Sequence, residues 1–149
     1  MTYQDALAGR VSLPQQIYHI TLCTYQRQPV FTCFATGRLI ALQLKDTQAQ
    51  RHALSLAWVI MPDHLHWLMQ LEETCSLNQV LKGVKARSAQ AVNRHLNRTG
   101  PLWQTGFHEH ALRKEEDIKQ IARYIIANPL RAKLVTKIGD YPLWDAVWL

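Results

Sequence analysis

Two histidines separated by a single residue, His64-Leu65-His66, stand in a stretch rich in hydrophobic and aromatic residues. In a strand, alternation puts both imidazoles on one face and Leu65 and Trp67 on the other. Same-face neighbours two apart sit roughly 6–7 Å from each other, close enough to hold one divalent ion between them. That spacing permits a metal site without specifying one, because an incidental surface or core pair reads the same way. Tyr124 and Asn128 lie four residues apart in a helical stretch. They therefore share a face, and an amide oxygen reaches what the phenol reaches. Two imidazoles and the Asn128 oxygen would leave open positions for phosphate oxygens and water, as suits Mg²⁺ or Mn²⁺. The plainer alternative is a half-buried core aromatic at Tyr124 and an Asn128 held at a helix end by Pro129.

The surrounding pattern indicates what must position these groups. Ile17 to Thr24 alternates, with Tyr18, Ile20 and Leu22 on one face and His19, Thr21 and Cys23 on the other, which predicts a strand. From about Phe34 to Arg51 apolar residues recur at helical steps. Ala53 to Met61 and His64 to Leu71 read as two strands joined at Pro62-Asp63, a pair suited to a tight turn. Ser76 followed by Gln79 resembles a capping box, and the stripe Leu77, Val80, Leu81, Val84, Ser88, Ala91, Val92 continues a helix until Thr99-Gly100-Pro101. Leu102 to Leu112 looks extended and predicts a further strand. Lys114 to Ala127 reads as a last helix, opened by Glu115, Glu116 and Asp117 at its positive end and closed at Asn128-Pro129. The order βαββαβα predicts an α+β fold, a ferredoxin-like sandwich with an antiparallel sheet backed by helices. One domain is expected over 1–149, with a polar leader over 1–16 and a C-terminal tail over 136–149.

The 149 residues carry a formal charge of +6. Such an excess points to a polyanionic partner, since clustered Lys and Arg displace counterions from phosphates. From Thr74 through His108 there is no Asp or Glu, while Lys82, Lys85, Arg87, Arg94 and Arg98 all fall there. The helix carrying them predicts a basic surface, for DNA or simply for solvent. Three cysteines without a CxxC pair argue against a disulfide framework and a thiolate zinc site. Neither a secretion signal nor a bilayer-spanning run is evident, so the expected location is cytoplasmic.

Three motifs together resemble one family. Met61-Pro62-Asp63-His64-Leu65-His66-Trp67, then Leu102-Trp103-Gln104 with Gly106-Phe107, then Tyr124-Ile125-Ile126-Ala127-Asn128-Pro129-Leu130-Arg131-Ala132 resemble the REP-associated tyrosine transposases, members of the HUH single-strand DNA endonucleases. The resemblance runs from about Tyr18 to Val135. It implies that His64 and His66 bind the metal with Asn128 as third ligand. It also implies that Tyr124 is the nucleophile, ending on a 5′ phosphate and releasing a 3′ hydroxyl. The implied substrate is single-stranded or hairpin DNA from palindromic repetitive extragenic elements, met at the bacterial nucleoid. Arg113, Arg123, Arg131 and Lys133 join the basic helix as candidates to hold the DNA backbone. The branch it resembles tends to act as a monomer rather than a homodimer. A free phenol titrates near pH ~10, so the nucleophile needs activation by a base, a metal-bound water or a neighbouring cation. His108 and His110 form a second alternating pair, read as structural because a full ligand set is already assigned. Two other functions stay open on the residues alone: a transposase-derived protein that binds hairpin DNA without cutting, and a metal-dependent hydrolase of small phosphoesters.

Overall fold

Strict alternation makes Ile17–Cys23 a strand, β1, with Tyr18, Ile20 and Leu22 buried on one side and Ile17, His19, Thr21 and Cys23 half-buried on the other. The computed structural model describes residues 15–147, so most of the expected polar leader, and Trp148, lie outside the described residues. β2 (Ala53–Met61) and β3 (His64–Leu71) form the hairpin about Pro62-Asp63, with Met61 opposite His64. β3 pairs with β1, and β4 (His108–Leu112) pairs with the other side of β1. A three-residue strand, β5 (Trp144–Ala146), adds to β2. The sheet order is β4-β1-β3-β2-β5 with every pair antiparallel. Its first four strands have the ferredoxin-like arrangement that the βαββαβα order predicts. β5 lies in the segment that the sequence leaves as a tail.

Two helices, α1 (Phe34–Ala49) and α2 (Leu77–Leu96), cover one face. The α2 start is fixed by a complete capping box: Ser76 Oγ accepts the Gln79 N–H at 3.2 Å, and Gln79 Oε1 accepts the Ser76 N–H at 2.9 Å. The helix stops at Asn97 in the left-handed conformation, a little before the Thr99-Gly100-Pro101 breaker. Ile40, Leu44, Leu81, Val84 and Val92 meet Ile20, Leu22, Leu65, Trp67, Met69 and Leu71 in the larger core. Trp103 belongs to it too, its indole N–H donated to Ser88 Oγ at 2.9 Å. Gly37 of α1 is a place of close approach, since a Cβ there would overlap the Leu143 side chain.

On the opposite face the main cover among the described residues is α3 (Glu115–Ile126). Its Ile118, Ala122 and Ile125 pack on Ala57, Val59, Met61, Leu68, Leu112 and Ala146. Glu115, Glu116 and Asp117 occupy its first turn, where their charge meets the positive helix end. After Ala127 a short α4 (Asn128–Arg131) begins, with Pro129 in its first turn where a missing N–H costs nothing. Tyr141 packs against both cores and donates its hydroxyl to the Ile60 carbonyl at 2.5 Å. Among the described residues no helix is long and apolar enough to cross a membrane.

Candidate metal and nucleophile site

α3 reaches only part of its face of the sheet, and what it leaves uncovered is polar. His64 and His66 on β3 and His19, Thr21 and Cys23 on β1 form this half-buried strip. The His64 and His66 rings are 4.9 Å apart and perpendicular. Tyr124, on the last turn of α3, sets its ring edge-on to His66 at 6.0 Å. Tyr124 thus meets a histidine pair far from it in sequence at one end of the sheet. Tyr124 remains 48% exposed, open to a large substrate.

Each imidazole is held through Nδ1. His64 Nδ1 lies 2.7 Å from Asp63 Oδ1. A carboxylate only accepts, so this nitrogen carries a proton, and in the neutral ring Nε2 is the nitrogen with the lone pair. Asp63 is held in turn by Arg27, whose Nε donates to Oδ2 at 3.0 Å. Burial raises the Asp63 pKa, but the hydrogen bonds from His64 and Arg27 outweigh it, and the carboxyl sits below its ordinary value. His66 Nδ1 lies 3.0 Å from His19 Nε2 and 3.2 Å from Thr21 Oγ1. Burial, then the charges of His64, His19, Arg131 and Arg27, push the His66 imidazole down to about 3. It is therefore neutral at physiological pH, the form that ligates metals. His19 also falls below its ordinary value, through burial and then through His110.

The donors present fit a divalent ion. Among the described residues no group of three or more His, Cys, Asp and Glu side chains is arranged to share one ion, so a third protein donor has to be of another kind. Asn128, at the start of α4, is the candidate of that kind, and its amide nitrogen is buried without a hydrogen-bond partner. The two ends of an amide are interchangeable by a half-turn, which would put the oxygen in that unpartnered position. Arg131 closes the other side of the phenol. Its guanidinium carbon lies 3.9 Å from the Tyr124 ring centroid, and Nη2 donates to the Tyr124 carbonyl at 2.7 Å.

The remaining sequence-predicted residues divide by layer. Arg123 shares the exposed last turn of α3 with Tyr124, and Lys133 follows α4. Arg113 is exposed between β4 and α3. The basic residues of α2 are not brought to the tyrosine, because α2 covers the other face of the sheet. Several are already engaged there. Lys85 Nζ donates to the carbonyls of Gln104 and Gly106, both at 2.7 Å, and burial lowers its pKa. Arg87 donates to Gln43 on α1, and Arg98 to the Pro101 carbonyl. Lys82 and Arg94 are exposed on that layer. His110 stands opposite His19 on the exposed edge strand, with His108 two residues before it. The pattern reading did not single out His19, Thr21, Asp63 or Arg27 as site residues. The available signal was Asp63 directly preceding His64 and His19 on the polar side of an alternating strand.

A five-stranded antiparallel sheet with a paired-histidine strand facing a helix-borne tyrosine defines a class. Residues 12–128 match the family described as "Transposase IS200 like", and the chain belongs to that family. It is 29% identical over 113 residues to the REP-associated tyrosine transposase of Escherichia coli K12, a match covering 67% of this chain and 66% of that protein. A candidate REP-associated tyrosine transposase of Haemophilus influenzae is 30% identical over 98 residues, covering 59% of this chain and 56% of its own length. The chain thus aligns with less than two thirds of each relative's own length, 66% of one and 56% of the other. Its fold is similar to that of a REP-associated tyrosine transposase solved bound to a REP hairpin. The TM-score is 0.75 at 21% identity, covering 89% of this chain and 78% of the other.

Proposed function

We propose that this transposase-family protein is a divalent-metal-dependent single-strand DNA endonuclease and strand transferase that cuts at hairpin-forming repetitive DNA through Tyr124. The observation that carries this reading is the tyrosine ring set edge-on to His66, with His64 beside it, in one protomer. A bound Mg²⁺ or Mn²⁺ supplies Lewis-acid polarisation of a non-bridging phosphate oxygen, worth several kcal/mol. His64 and His66 would hold the ion through Nε2, with the Asn128 amide oxygen as the third protein donor.

The Tyr124 oxygen attacks the phosphorus and gives up its proton to solvent or a local base. The 3′ oxygen leaves, gains a proton and becomes a hydroxyl. One phosphodiester is exchanged for a 5′-phosphotyrosine, so the linkage is retained and the step runs backwards without ATP. Arg131 stiffens the nucleophile by covering one ring face and capping its carbonyl. It also puts positive charge beside an attacking oxygen and a phosphate that carry negative charge. Arg123, Arg113 and Lys133 are exposed cations on or next to the helical segment bearing the nucleophile and hold the strand. The DNA partner is supported by the hairpin held in the similar solved structure. One copy holds both imidazoles and the tyrosine, which supports a monomer as the functional unit.

The test is a labelled single-stranded hairpin incubated with the protein and Mg²⁺ or Mn²⁺, resolved on a denaturing gel. A covalent protein–DNA band that Tyr124→Phe lacks is the expected result. Binding without that band would leave a recognition protein, and cleavage without it a hydrolase.

A further inference from the structure

His64 and His66 are held by chemically different partners. Behind His64 stands a carboxylate, which fixes the tautomer by itself. Behind His66 stands another imidazole, and two facing ring nitrogens at 3.0 Å require that one of them carry the proton. Two arrangements are available. If His66 Nδ1 donates, its Nε2 keeps a lone pair and binds metal. If His19 Nε2 donates, the His66 proton moves to Nε2 and the ligand is lost.

The surroundings of the pair accommodate the first. Thr21 Oγ1 lies 3.2 Å from the same His66 nitrogen, where its hydroxyl oxygen offers a second acceptor for an Nδ1–H. Both partners come from β1, where Thr21 stands opposite His66 in register and His19 one same-face position further along the strand. The rings of His19 and His66 are 5.1 Å apart, tilted at 38°, so the contact is a side-on clamp rather than a stack. On the other side of His66 the space belongs to His64 and Tyr124, where the free Nε2 is needed.

We infer that His19, assisted by Thr21, is a positioning residue that holds His66 in the Nδ1–H tautomer, so that a divalent ion meets a preset Nε2 donor. This rests on His66 being a metal ligand, as proposed above. In this role His19 needs no contact with DNA or metal. It acts on the ligand's tautomer and orientation, as groups bonded to the far nitrogen of metal-bound histidines do.

Two measurements test this. In the metal-free protein labelled with ¹⁵N-histidine, long-range ¹H–¹⁵N spectra report the proton position on each ring. His66 protonated on Nδ1 is expected, and His66 protonated on Nε2 overturns the inference without any substitution. Mn²⁺ affinity is then read from the free-ion signal in electron paramagnetic resonance, with folding checked by circular dichroism. His19→Leu is expected to weaken Mn²⁺ about 10- to 100-fold. His19→Gln, which still offers an acceptor, is expected to stay within a few-fold of wild type. Equal Mn²⁺ affinity in wild type and a folded His19→Leu protein overturns the role of His19 while leaving the metal site standing. Wild type that takes up no Mn²⁺ overturns the metal reading itself.

Discussion

The same strands build two unlike faces. Leu65, Trp67, Met69 and Leu71 point from β3 into a dry core under α1 and α2, while His64 and His66, interleaved with them, point into a half-open strip beside α3. Two helices seal the first face and one partly covers the second. The difference teaches a division of labour. The sealed face supplies stability through apolar burial, about 1.5–3 kcal/mol for each large side chain. This rigid sheet lets the other face keep polar groups partly unburied and aimed at a substrate.

Substitutions on the two faces should therefore separate activity from stability. Tyr124→Phe is expected to lower covalent adduct formation at least a thousandfold, ~4 kcal/mol in barrier terms. Its melting temperature should hold, because the side chain is half exposed. Trp67→Ala, on the sealed face, is expected to cost about 3–5 kcal/mol in denaturant unfolding. It removes a fully buried ring and the indole bond to Ser55 Oγ. A fall in adduct yield without a fall in stability for Trp67→Ala would break the division. Arg131→Ala should slow adduct formation about tenfold at saturating DNA, from the loss of one cation–π contact and one hydrogen bond.

At the seam between the faces, Tyr141→Phe loses one hydrogen bond, ~1 kcal/mol at neutral pH. Burial raises the Tyr141 phenol to about 12. A group whose folded pKa is raised stabilises fully below its unfolded pKa of ~10, and that stability fades as pH climbs through the folded value. The gap between wild type and Tyr141→Phe in thermal unfolding should therefore close between about pH 10 and pH 12. The smallest effect is expected from Lys82→Ala combined with Arg94→Ala, whose side chains lie on the layer away from Tyr124. Adduct formation at saturating DNA should change by less than about twofold. A larger drop would mean that DNA wraps onto the sealed face.

What the sequence made legible follows from what periodicity encodes. Alternation in 17–24, the Pro62-Asp63 turn and the Ser76–Gln79 capping box are local signals, and β1, the hairpin and α2 appear where those signals lie. Side-chain period tells which residues of a helix face inward, but not which side of a sheet the helix takes. The basic run of α2 therefore read as a surface for DNA or solvent without a side, and it lies on the layer away from Tyr124. β5 is too short to carry a period, and its pairing with β2 is non-local. His19 could not be tied to His66 because strand register across 47 positions is written only in tertiary packing. Arg131 read as a backbone contact, and its lodging over Tyr124 depends on the turn after Ala127.

β5 has one more implication. The family match ends at residue 128, yet Ala146 and Trp144 lie in the small apolar cluster on which Ile118, Ala122 and Ile125 of α3 rest. This strand is thus a shim under the helix that carries Tyr124. A chain cut after Val135 would retain every recognisable motif and still let the tyrosine drift off its bearing, so transplanting the motif region into another protein requires carrying this distant wedge with it.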